Sequence, residues 1–116
     1  MEDNIKYIND PFGTVIQATK ELYPDLCADI QFDDRIKYFK FGFIRFGHCG
    51  ETWFPKDGST PLITISTNIP FAGMVEVMAH ELAHVAAGVK AGHGPEWEKA
   101  FEAIYQKYIE ITVRTN

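Results

Sequence analysis

His80-Glu81-Leu82-Ala83-His84, followed after eight residues by His93 in Gly92-His93-Gly94-Pro95-Glu96-Trp97, is the stretch around which the rest of the chain reads. Two histidines four apart on a helix lie one turn above each other on the same face. One tetrahedral metal ion can accept both imidazoles, and Glu81 stands beside them as a candidate general base. A third histidine, His93, lies in a glycine-rich turn that opens another helix. The competing reading is three ordinary histidines near helix ends.

Outward from that stretch, Asn68-Ile69-Pro70 closes a strand, and the spacing predicts a helix from Phe71 to Ala87. Met74, Met78, Leu82, Val85 and Val89 form its expected core-facing stripe, and Glu76, His80, Glu81 and His84 its other face. Gly88 is placed to end this helix, which lets the chain fold back and return His93 to the other two histidines. Pro95 opens a last helix with Glu96 and Glu98 in its first turn and a stripe of Trp97, Phe101, Ile104 and Tyr108.

Before the motif helix, Ile63 to Thr67 alternates as a half-buried strand should, and Asp29 to Phe32 is a second short strand candidate. Tyr38 to Phe46 is rich in strand-forming aromatics, with Gly47, Gly50 and Pro55-Lys56-Asp57-Gly58 as turns. Three to four strands, mainly antiparallel, are expected. At the start, Asp10 reads as an N-cap and Pro11 as the first residue of a helix over 11–23, with Pro24 as its stop. The fold class is therefore α+β, a single domain over 1–116.

Hydrophobic residues make up 46% of the 116 and aromatic ones 14%, which indicates a packed core. Sixteen acidic against eleven basic residues give a net charge of −5, so nothing draws the chain generally to nucleic acid or anionic membranes. Arg35, Lys37, Lys40 and Arg45 interleave with aromatics in a pattern that a DNA-contacting surface also shows. Their alternation is too irregular to put every cation on one face, so the reading is a sheet with solvated cations. Cys27 and Cys49 are too few for a disulfide framework and read as buried free thiols. The polar N-terminus lacks a secretory pattern and no apolar run approaches membrane-helix length, so a cytoplasmic protein is expected.

Three protein nitrogens would leave a fourth position on zinc for water, the catalytic arrangement. Zinc lowers the pKa of such a water toward ~7, and Glu81 can take its proton and pass it to a leaving amine. Peptide-bond hydrolysis is the reaction this chemistry assembles. Glu76 and Glu96 are candidates for orienting the histidines, though both also read as solvated helix-end carboxylates. Tyr105, Tyr108 or His48 could stabilise an oxyanion, and His48-Cys49 is the rival ligand pair.

In these motifs the chain resembles the SprT-like metallopeptidases, the zincin family that includes Spartan. The resemblance rests on the paired histidines, the eight-residue gap and the His93-Gly94-x-x-Trp97 closure, and the element order extends it over most of the chain. It implies a zincin-like fold with His80, His84 and His93 as zinc ligands and Glu81 as the catalytic carboxylate. It also implies a strand ahead of the motif helix, here Ile63 to Thr67, whose edge takes peptide substrates. The chain reads as a minimal form without the C-terminal zinc ribbon, with DNA-associated proteins as one substrate class. A metzincin fits less well, because its third histidine follows after five residues and a Met-turn methionine is lacking. The alternative function is a nucleic-acid-associated binding module whose zinc is mainly structural.

Overall fold

Asp10 begins the first helix as its residue type predicts. Its side chain accepts a hydrogen bond from the Gly13 N–H at 3.0 Å, satisfying one of the donors that a helix start leaves open. Helix α1 runs Pro11–Leu22 and buries Val15 and Ala18 completely. The computed structural model describes residues 4–34 and 49–115. The expected strand at Tyr38 to Phe46, its interleaved cations and His48 lie outside the described residues.

Among the described residues three strands follow: β1 (Asp29–Asp33), β2 (Gly50–Trp53) and β3 (Leu62–Ser66). Their order is β1-β3-β2, with β1 parallel and β2 antiparallel to β3. The sheet is thus mixed, which corrects the expectation of a mainly antiparallel one. Strands β2 and β3 are joined through a tight turn in which the Gly58 N–H donates to the Pro55 carbonyl at 3.1 Å, and so short a return makes antiparallel neighbours. The far longer path from β1 to β3 allows parallel pairing instead. Strand β3 is central, so Ile63, Thr64, Ile65 and Ser66 are all buried, where alternation had predicted burial of one face only. Nor does it offer a free edge to a peptide, because β1 and β2 take both sides.

Helix α2 spans Phe71–Ala87, the predicted bounds. It lays Val75, Met78, Ala79, Leu82 and Ala83 against Ile63 and Ile65. Val89 leaves the expected stripe: it is 63% exposed, in a single 3-10 turn (Val89–Ala91) beyond the helix end. Helix α3 (Pro95–Thr115) packs Ala100 and Ile104 into the same core. Both cysteines are free, but Cys27 is exposed and Cys49 half-buried, so neither is the buried thiol expected. Among the described residues no helix is long and apolar enough to cross a membrane.

One close approach ties the sheet to α2. A Cβ at Gly50 would stand 2.7 Å from a Val77 methyl, 3.0 Å from the Thr64 carbonyl oxygen and 3.3 Å from Glu81 Oε2. The Gly50→Ala chain is therefore expected to lose about 1–3 kcal/mol, since the backbone oxygen cannot step aside. Urea unfolding checks this, and an unchanged midpoint would contradict the close fit.

Candidate metal centre

The α2 register puts His80 and His84 one turn apart, facing a cleft of about 630 Å³. His93 reaches them because the chain reverses within eight residues. Gly88 and Gly92 hold the turn at φ 96° and 54°, backbone that side chains rarely adopt. The Gly88 N–H donates to the His84 carbonyl at 3.0 Å, and the Gly94 N–H to the Ala91 carbonyl at 2.8 Å.

The three imidazoles converge. His93 Nε2 lies 3.1 Å from His84 Nε2 and 3.2 Å from His80 Nε2, and one nitrogen from each ring falls within 4.8 Å of the others. Two ligands about 2.05 Å from one tetrahedral ion sit about 3.3 Å apart, so two of the three pairs already match that spacing. A single ring hydrogen on His93 Nε2 can serve only one of its two neighbours. The lone pairs left facing each other are what a cation would satisfy, and these three histidines can hold a metal ion.

Trp97 supports all three rings. Its indole stacks on His84 at 5.5 Å and 28°, and meets His80 at 4.7 Å and His93 at 4.8 Å edge-on. Its Nε1–H donates to the His80 carbonyl at 3.1 Å, and Phe101 stacks behind it at 5.4 Å. An aromatic wall of this kind restricts imidazole rotation, which an exposed ring such as that of His93 would otherwise retain.

Glu81, between the two helical histidines in sequence, is only 5% exposed. Thr52 on β2 donates from Oγ1 to Glu81 Oε1 at 2.6 Å. Burial raises the Glu81 pKa above its ordinary value, the Thr52 hydrogen bond opposes that rise, and the nearby Glu51 charge adds to it. Both residues line the same cleft as the histidines, together with Gly50, Glu51, Phe54, Val89 and Gly92.

The other sequence candidates fall elsewhere. Glu76 and Glu96 are exposed, and among the described residues neither is bonded to a histidine. Tyr105 and Tyr108 line a separate hollow with Pro11, Phe71 and Val75, because eight or more helical residues carry them about 12 Å or more along α3 from Trp97. Cys49 is not part of the ligand cluster. Thr52 is the residue that sequence reasoning missed. The Thr-Trp-Phe run at 52–54 was a usable strand signal, but nothing local linked it to Glu81.

Burial, then the repulsion of His84 and His93, hold the His80 pKa down from 6.5 to about 4. Burial and His93 also lower that of His84. Both rings are thus neutral at neutral pH, the ligating form. Between pH 6.5 and about 4 the unfolded chain takes up a proton that the folded His80 ring refuses, and the lowered His84 pKa acts in the same direction. Metal-free protein should therefore lose stability on acidification through that window. His80 is only half-buried and water screens it, so its share is on the order of 1 kcal/mol. Glu81 opposes this, because its raised pKa favours the folded state as pH falls. Melting temperatures of parent and His80→Ala across pH 4–7 check the sign: the variant should show the shallower slope. No known family model, curated protein or solved structure matches the chain.

Proposed function

We propose that this chain is a zinc-dependent metallopeptidase of the SprT-like type, with His80, His84 and His93 as ligands and Glu81 as general base. The observation that carries the reading is the shared cleft: three convergent imidazole nitrogens and a buried carboxylate border one open space of about 630 Å³. A structural zinc is enclosed by four protein ligands, whereas a hydrolytic one keeps a side open to water and substrate. Zinc is preferred because an all-imidazole set suits it, and when bound it would make water a nucleophile near neutral pH.

The chain's own residues then divide the work. His80, His84 and His93 hold the ion, with Trp97 fixing their rings. Glu81 accepts a proton from the attacking water and returns it to the amine that leaves as the peptide C–N bond breaks. The cleft borders β2, so an extended peptide would lie along that strand's side of the site, not on β3. DNA-associated proteins are a substrate class suggested by the family resemblance alone. The direct test is zinc stoichiometry by elemental analysis, followed by cleavage of an unstructured protein with and without chelator. Zinc-dependent cleavage is expected, and protein that takes up no metal would overturn the reading.

A further inference from the structure

We propose that Thr52 is the positioning residue for Glu81, fixing which carboxylate oxygen is free to accept a proton. The inference rests on the hydrolytic reading and adds to it a residue from outside the metal-binding stretch. Register places Thr52 opposite Ile63 and Gly50 opposite Ile65, on the face of the sheet that packs against α2. From there Thr52 Oγ1 donates to Glu81 Oε1 at 2.6 Å. A hydroxyl carries one hydrogen, and its 3.4 Å approach to the Glu81 carbonyl is too long to compete. Oε1 is thereby occupied. Oε2 lies beside Gly50, where the missing side chain leaves room that a Cβ at 3.3 Å would fill.

A glutamate side chain has three rotatable bonds, and a buried one without partners would sample orientations that miss the water. The Thr52 hydrogen bond selects one of them. The sheet thus acts on the reaction through a single hydroxyl, while the glycine beside it keeps the second oxygen accessible. A short hydrogen bond from a neutral donor to a carboxylate is of the stronger kind, which makes it a firm anchor.

The test compares the zinc-loaded parent chain with Thr52→Val and Thr52→Ser. Valine keeps the shape and removes the hydroxyl, and serine restores the hydroxyl without the methyl. Thr52→Val is expected to lower kcat about 10- to 100-fold at unchanged KM and zinc stoichiometry, and Thr52→Ser to recover most of it. Equal kcat in Thr52→Val, or equal losses in both variants, would overturn the proposal, the latter because it reports lost packing only. A readout independent of turnover is the Thr52 hydroxyl proton in NMR spectra. It should exchange slowly and show contacts to the Glu81 side chain, and its absence would overturn the proposal whatever the activity. If the parent cleaves nothing although this proton is present, the hydrolytic reading fails and the Thr52–Glu81 anchor stands.

Discussion

Replacing Glu81 with glutamine is expected to lower hydrolysis of an unfolded protein by about 10²–10⁴-fold while leaving zinc binding intact. Glutamine fills the same volume, and its amide oxygen can still accept the Thr52 hydrogen bond that Oε1 now takes at 2.6 Å. What disappears is the ability to take a proton. The residue is 5% exposed, and its burial pushes the carboxyl pKa upward, toward the range where a base works best near neutral pH. Activity of the parent should rise with pH through that elevated pKa, because only the ionised carboxylate can act. The measurement is initial cleavage rate at matched zinc content, and comparable rates in the two proteins would rule Glu81 out as the base.

Zinc is expected to raise the melting temperature of the parent by roughly 15 °C at a thousandfold excess over its dissociation constant. Binding only the folded state at that excess adds about 4 kcal/mol, and a domain of this size converts each kcal/mol into about 4 °C. His93→Ala is the clean control. His93 is exposed and lies in the turn, so truncating it leaves the core untouched, whereas the His80 ring packs against Trp97 and Phe101. The variant should melt near the metal-free parent and respond to zinc far less. Differential scanning with and without chelator decides the matter, and an identical zinc response in parent and variant would remove His93 from the ligand set.

The helices were legible in the sequence because their signals are local. Asp10-Pro11, Gly88 and Pro95 mark ends that depend on a few adjacent residues, and the observed bounds follow them closely. The sheet was harder. Whether β1 lies parallel or antiparallel to β3 depends on a path of 28 residues between them, and no nearby residue records it. Strand β2 has four residues beginning at a glycine, which by itself reads as a turn. The histidine cluster was visible because helical spacing and one reversal bring the three rings together. The burial of Glu81 was not, since a charged residue between two histidines reads as part of the polar face. Its partner there, Thr52, stands 29 residues away in the chain.

That difference in range separates two properties of the site. All three imidazoles and Trp97 come from one helix–turn–helix segment, 80–97, so the means to capture an ion is encoded in a single short stretch of chain. The orientation of Glu81 depends on Thr52 and Gly50, which meet it only when the sheet has docked on α2. A chain folded only over that segment would gather the ion without aiming the base. In the proposed peptidase, reactivity toward proteins would thus be withheld until assembly is complete, a built-in safeguard for a cell that must make such a protein among its own unfolded chains.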